Sequence, residues 1–396
     1  MSKTSYLIKT MDVFTGDIHI SDTFTFNEFS ENIEFLKKPD WCISASIGKI
    51  LDDDDITELQ YYITKTHKGF EPPDRIMGKS CLLTAIQKRH HPVKKYIEKV
   101  EWDGTKRIDS WLTNSVGCLD NCYTSQVGSK FLIAAVSRVY NPGCKFDHML
   151  ILEGSQGIGK STLLEELAAD WYLDTNFSHK DKDLIDSMRG AFIIEISELS
   201  GMNKKDVDWL KSFLSRKVDR VRLAYAARSK NFKRKCVFIG TYNPSGNNMY
   251  LRDDTGNRRF WPVECGKTID IEYVKENKAQ LWSEALVRFK EGEKLYLEDS
   301  ASLEILSEIH GDRELESPTH HTIKEWLKGQ VAFVNMEDIM KQCLGIDTRN
   351  KMPKDLLSLS TTIGIIMRKL GWRKGTNDKR NIYYNPEHKE QMEGWE

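Results

Sequence analysis

The residues Gly154-Ser155-Gln156-Gly157-Ile158-Gly159-Lys160-Ser161 carry the pattern G-x-x-x-x-G-K-S, directly after the apolar run Met149 to Glu153 and ahead of the helical stretch Leu163 to Ala169. A strand, a glycine-rich turn and a helix in that order suit a polyphosphate. The glycines let backbone N–H groups face a β-phosphate, and the helix N-terminus adds the positive end of its dipole. On this reading the segment Gly154 to Thr162 cradles ATP, Lys160 reaches the β- and γ-phosphates, and Ser161 ligates Mg²⁺.

Hydrolysis also needs a carboxylate at the end of a neighbouring strand, to hold Mg²⁺ through water and to orient the attacking water. The run Phe192-Ile193-Ile194-Glu195-Ile196-Ser197-Glu198 offers two. Glu198 stands where strand gives way to loop and is the first candidate; Glu195, three residues earlier, is expected on the opposite face of a regular strand. A bulge would reverse the assignment. A further apolar run, Val237 to Thr241, ends in Tyr242-Asn243-Pro244, and Asn243 is a candidate contact for the γ-phosphate or the lytic water. Arg258 and Arg259, just before Phe260-Trp261-Pro262-Val263, are candidates to stabilise transition-state charge, from the same chain or a neighbouring subunit. The alternative for the pair is ordinary ion pairing with Asp253 or Asp254.

Between the carboxylate and asparagine strands lies the strongest local charge bias. Lys211, Arg216, Lys217, Arg220, Arg222, Arg228, Lys230, Lys233, Arg234 and Lys235 face one acid, Asp219, with Phe213, Tyr225 and Phe232 interleaved. Such a stretch can track a phosphodiester backbone and stack on bases. Lys217, Arg220, Arg222, Arg228, Lys230 and Lys233 are the candidate single-stranded DNA contacts.

Strand-like and helical runs alternate from about 146 to 289, which predicts an α/β core with a mainly parallel sheet and the site at the carboxyl ends of its strands. Before it, residues 1–39 read as strand-like and polar, with an acidic helical piece over 27–36. Asp53 to Asp55 would then cap a helix carrying Ile56, Leu59 and Ile63; Leu82, Leu83 and Ile86 would start another; and Pro92 would open a third after His90-His91, read as surface or capping residues. After 316, helical stretches at 323–327, 336–343 and 360–370 precede a basic tip and a hairpin, the order of a winged helix, with Arg373, Lys374, Lys379 and Arg380 flanking a phosphate-contacting wing. The expected domains are 1–125, mainly helical; 126–300, the nucleotide core; and 316–390, the winged helix.

The chain has 396 residues, 39% hydrophobic, enough for a sizeable core, and its 58 basic and 59 acidic residues cancel, so any nucleic-acid surface is a patch. Eight scattered cysteines without a zinc-ligand interval read as reduced thiols. With no apolar run of bilayer length and no signal-peptide core, the expected location is the cytoplasm, away from any membrane.

Taken together, Trp102-Asp103-Gly104, Lys145-Phe146-Asp147-His148, Gly154 to Ser161, Glu195 to Leu199, Phe213 to Arg220 and Thr255 to Val263 closely resemble the virulence-associated protein E family over roughly residues 90–300. That family occurs on phages, prophages and phage satellites and is similar to the superfamily 3 helicases. The resemblance implies an AAA+-like P-loop NTPase core of superfamily 3 helicase type, working as a homo-hexameric ring that translocates on single-stranded DNA in a bacterial host. It assigns Lys160 and Ser161 to the Walker A positions, Glu198 and less directly Glu195 to Walker B, Asn243 to the sensor and Arg258 or Arg259 to the arginine finger. The basic run occupies the slot of the pore hairpin. Glu-x-x-Glu departs from the adjacent acids of many P-loop enzymes, which leaves the choice of carboxylate open. The alternative function is an origin-binding initiator ATPase that recruits a host helicase, with duplex origin DNA as partner of the C-terminal domain.

Overall fold

The computed structural model describes residues 3–175, 181–197, 199, 202, 204–222, 229–244, 257–313, 318–330, 333–346, 353–377 and 380–386. The chain divides into two compact units, Met1–Arg313 and Glu314–Glu396.

The first unit opens with a helix, Lys3–Gly16, where the sequence reads as strand-like. The acidic stretch expected to be helical is instead a hairpin: β1 (Phe24–Asn27) pairs antiparallel with β2 (Asn32–Phe35), and β1 also runs parallel to the short β3 (Arg89–His90). Asn27 decides this locally, because its Oδ1 accepts from the N–H groups of Phe29 and Ser30 and fixes a turn where a helix would have continued. Asp52 caps the helix Asp53–Thr66 through a reciprocal capping box with Asp55. Leu82, Leu83 and Ile86 lie near the end of the helix Asp74–Gln87 and stay partly exposed, because Met77, Cys81 and Ala85 form its buried face. These elements share a core of their own, built on Phe14, Phe24, Phe35, Leu59 and Ile63. His91 Nδ1 accepts from the Lys94 N–H and caps the helix Pro92–Ile97.

The rest of the unit is a mixed α/β body around a five-stranded, all-parallel sheet. Its strands are β4 (Met149–Glu153), β5 (Tyr172–Thr175), β6 (Ile193–Ile196), β9 (Val237–Tyr242) and β10 (Phe260–Glu264), in spatial order β10-β4-β9-β6-β5. β4, β6 and β9 are buried at every position, as strands covered on both faces must be. Alternate residues divide between two cores. Leu150, Leu152, Ile193, Val237 and Ile239 meet the helices Cys122–Tyr140, Lys160–Ala168 and Ile271–Lys290 on one face. Met149, Ile151, Ile194, Ile196 and Phe238 meet the helix Lys204–Leu214 on the other. Between β6 and β9 the chain makes an antiparallel hairpin of β7 (Val218–Val221) and β8 (Lys230–Lys233).

In the second unit, the helices Pro318–Leu327, Met336–Asp338 (continued as one π turn, Ile339–Cys343) and Pro353–Lys369 pack on an antiparallel sheet of order β11-β13-β12. These strands are β11 (Phe333–Asn335), β12 (Arg373–Asn377) and β13 (Arg380–Tyr384). β11, between the first two helices, has no counterpart in the sequence reading. Ile323, Ile339, Ile363, Met367 and Trp372 fill this unit's core. No described helix of the chain is long and apolar enough to cross a membrane.

Candidate functional site

The loop Gly154 to Gly159 links the carboxyl end of β4 to the helix that Lys160 opens. Gly157 (φ +81°) and Gly159 (φ +102°) adopt left-handed backbone, which any side chain would strain. Lys160 folds back over the loop, its Nζ donating to the carbonyls of Gly154 (2.6 Å) and Ser155 (2.8 Å). Burial lowers its pKa, partly opposed by Cys265 and Glu195. It makes no ion pair among the described residues; the two loop carbonyls are its hydrogen-bond partners there.

Glu195, on β6, is wholly buried. Its Oε1 accepts from Ser161 Oγ (2.9 Å) and Thr241 Oγ1 (2.6 Å), and its Oε2 accepts from the Tyr172 hydroxyl. Burial and the facing carboxylate push the Tyr172 phenol well above its usual range, so it stays a donor. Strand alternation therefore turns Glu195 toward the face that carries Ser161, while Glu198 lies outside the described residues. A buried carboxylate met by three hydroxyls, with no ion pair among the described residues, is a place short of positive charge. Ser161 and Glu195 together fit a Mg²⁺ ion that keeps most of its water and phosphate ligands. Among the described residues no group of three His, Cys, Asp or Glu is placed to hold a metal ion.

Asn243 is exposed and follows Tyr242, which pairs with Glu153; the Gly154 N–H donates to the Tyr242 carbonyl. Because β9 lies between β4 and β6, Asn243 emerges between the glycine loop and the Glu195 strand.

Arg258 and Arg259 sit elsewhere. They precede Phe260, which pairs with Met149 at the start of β4, and Glu153 ends that strand four residues on. At ~3.3 Å per residue the two levels are about 13 Å apart. The arginines thus lie at the end of the sheet opposite the loop, in the turn Asn257–Arg259 that leads into its edge strand. Asp253 and Asp254, considered as their partners, lie outside the described residues; the described partner is Asp147, whose Oδ2 is 3.6 Å from Arg258 and 3.5 Å from Arg259. Arg259 Nε also donates to Ser215 Oγ (3.0 Å), and His148 stacks on Trp261 at 4.3 Å while bonding the Arg258 carbonyl. Burial pushes the His148 imidazole down to about 4, against the pull of Asp147.

The basic run proves heterogeneous. Arg234 is buried and gives Asp219 two bonds (2.7 and 3.0 Å), locking the hairpin base, and Lys211 is buried too. Lys217, Arg220, Arg222 and Lys233 are exposed, and Arg228 lies outside the described residues. Lys230, also exposed, lies over the Phe232 ring (5.2 Å) and pairs with Glu31. In the second unit Arg373 and Lys374 are exposed on β12, and Lys374 shares a groove with Ser360, Thr361, Arg368 and Tyr383. Arg380 begins β13, and Lys379 lies outside the described residues. Sequence reasoning missed Tyr172 and Thr241, and gave no role to Asp147 and Ser215, which stand in two of the motifs that carry the family resemblance. Strand alternation could have found Thr241; the other three depend on contacts between distant segments.

A parallel α/β sheet with a glycine-rich strand-to-helix loop at its carboxyl end defines the class of protein. The chain belongs to the family of the virulence-associated protein E-like domain, whose model matches residues 97–313. Among solved structures it is similar to the A-form apo structure of the NrS-1 C-terminal region, at 14% identity and TM-score 0.47, covering 91% of this chain and 95% of that one. A second structure of that region, spanning residues 305–718, gives 13% identity, TM-score 0.47 and the same coverages. Among curated proteins none matches.

Proposed function

We propose that this chain is an ATP-driven, Mg²⁺-dependent DNA helicase that serves replication of a phage, prophage or phage satellite, acting as a homo-hexameric ring on single-stranded DNA. The observation that carries this reading is the contact of Ser161 with the buried Glu195 beside a glycine loop that holds Lys160. In this P-loop reading the loop N–H groups and Lys160 hold the triphosphate, and Ser161 and Glu195 hold Mg²⁺, which neutralises phosphate charge when bound. Glu195 keeps Ser161 oriented through its hydroxyl, Thr241 and Tyr172 fix Glu195 in turn, and Asn243, exposed just past β9, contacts the γ-phosphate or the lytic water. Arg258 and Arg259, remote from their own loop, serve the loop of a neighbouring protomer. The exposed hairpin cations Lys217, Arg220, Arg222 and Lys233 grip the strand.

A second reading rests on the C-terminal unit. Its order of helix, strand, two helices and hairpin, with Arg373 and Lys374 on the first hairpin strand, supports a winged helix for duplex DNA and hence an origin-binding initiator ATPase. Hydrolysis measured with and without single-stranded DNA, together with strand release from a forked duplex, separates the two. A helicase shows DNA-stimulated turnover and releases strand; an initiator hydrolyses ATP and releases none. Turnover indifferent to DNA refutes the ring motor.

A further inference from the structure

The turn between β1 and β2 belongs to the first ninety-six residues, outside the family match, yet it is seated against the root of the basic hairpin. Lys235 Nζ donates to the carbonyls of Glu28 (2.6 Å) and Phe29 (3.1 Å) and to Glu31 Oε1 (3.1 Å). An ammonium has three donors, so Lys235 is fully committed to holding this turn. Arg189 Nη2 donates to the Glu31 carbonyl (3.1 Å) and Asn32 Oδ1 (2.7 Å). Glu31 Oε2 reaches across to Lys230 Nζ at 2.5 Å, although the Lys230 side chain keeps 57% of its surface in solvent. Glu31 accepts this place at φ +58°, a left-handed backbone uncommon for a glutamate.

The hairpin itself is lightly held. Its inner face contributes Val221 and Phe232 to a three-residue cluster with Ile185, separate from both main cores, and a cavity of about 40 Å³ opens beside Phe232, Phe29 and Met188. Beyond the base that Arg234 and Asp219 lock, a segment with so few apolar contacts among the described residues lifts at low cost, so ion pairs weigh heavily in its position. On the paired segments Val218–Val221 and Lys230–Lys233, Lys230 has a carboxylate partner, and that carboxylate comes from the N-terminal layer.

We propose that the β1–β2 turn is a latch on the hairpin: Glu31 takes, on Lys230, the place of a nucleic-acid phosphate, so that closure of the latch and phosphodiester binding at Lys230 exclude one another. This gives the N-terminal layer a role, and it rests on the reading of the hairpin as a DNA contact.

The test uses the full chain carrying Glu31→Gln, Lys230→Ala or both, after thermal melting confirms that each folds. Binding of a fluorescent oligothymidylate is measured across a salt series, and amide exchange of residues 218–221 and 230–233 is measured without DNA. Glu31→Gln is expected to bind up to about fivefold tighter, the most that a partly exposed ion pair is worth. It also steepens the salt slope by ~0.7, the contribution of one freed phosphate contact on a single strand. The gain disappears when Lys230→Ala is added, and hairpin amides exchange faster in Glu31→Gln. Unchanged affinity with unchanged exchange overturns the latch, as does a gain that survives Lys230→Ala. If no chain binds the oligonucleotide while exchange still quickens in Glu31→Gln, the mechanical latch stands and its competition with phosphate, like the helicase reading, falls.

Discussion

Replacing Arg259 by alanine and mixing the product with a Lys160→Ala chain tests where the arginine acts. Along β4 the Phe260 level and the Glu153 level are separated by four residues, about 13 Å, and the arginines lie in the turn that leads into an edge strand. Neither arginine can serve its own loop without breaking the β4–β10 register. Each variant alone should therefore lose roughly 10³-fold in turnover, the arginine for want of charge stabilisation and the lysine for want of phosphate contact. In an equimolar mixture, a given protomer is an Arg259→Ala chain, and so has an intact loop, with probability about one half, and its neighbour offers an intact arginine with probability about one half. About a quarter of the interfaces are then complete, whatever the ring size. Turnover in the mixture should recover to about a quarter of wild type, read as phosphate release at concentrations where rings exchange subunits. Arg258→Ala in the same protocol decides which arginine is responsible. A mixture no faster than its components, for both arginines, refutes action across an interface; full activity of both single arginine variants refutes the assignment altogether.

Glu195→Gln should abolish Mg²⁺-dependent hydrolysis by at least about a hundredfold while melting close to wild type, because the amide oxygen still accepts from Ser161 and Thr241; a variant that hydrolyses normally removes Glu195 from the site. Asp147→Asn should lower kcat about tenfold with KM little changed, since Asp147 orients the arginines and touches no loop residue; a raised KM with intact kcat would place it in nucleotide binding. Asp219→Ala leaves Arg234 buried without its partner and should destabilise the chain by about 3–5 kcal/mol in urea titration, whereas a loss under about 1 kcal/mol shows that the pair does not hold the hairpin base. For pH, burial lowers both His91 and His148 from 6.5 to about 4. The unfolded chain gains these protons first, so stability is full above about 6.5, falls as pH drops toward 4 and levels below it. The urea midpoint followed from pH 7 to 4 should show this decline, reduced in His148→Phe; a flat profile contradicts the burial of both rings.

What the sequence discloses here follows the range of its signals. The strands Met149–Glu153, Ile193–Ile196 and Val237–Tyr242 are legible because each opens on an apolar run, Met149 to Leu152, Phe192 to Ile194 and Val237 to Ile239, that gives way to polar residues. The glycine loop is legible because its spacing is local. Residues 27–36 mislead: Phe29, Ile33 and Leu36 suggest a helical stripe, but the Asn27 turn and pairing with Phe24–Asn27 override it. The face of Glu195 could not be chosen without knowing where Ser161 and Tyr172 lie, since alternation fixes only relative orientation. The basic run could not be divided either. Arg234 and Arg220 look alike in sequence, and only Asp219 and the Phe213 carbonyl, brought together by the hairpin, set Arg234 inside.

The crossover from β6 to β9 has to return the chain from one end of the sheet to the other. The helix Lys204–Leu214, about 16 Å long, makes that journey and delivers the hairpin beside Ser215 and Arg259, far from the glycine loop. On the proposed reading, combustion and traction occupy opposite poles, with this one rod as the driveshaft. A compound wedged beneath it, against Leu210 and Phe238, would leave the engine idling: triphosphate consumed only at the rate seen without DNA, and no strand hauled.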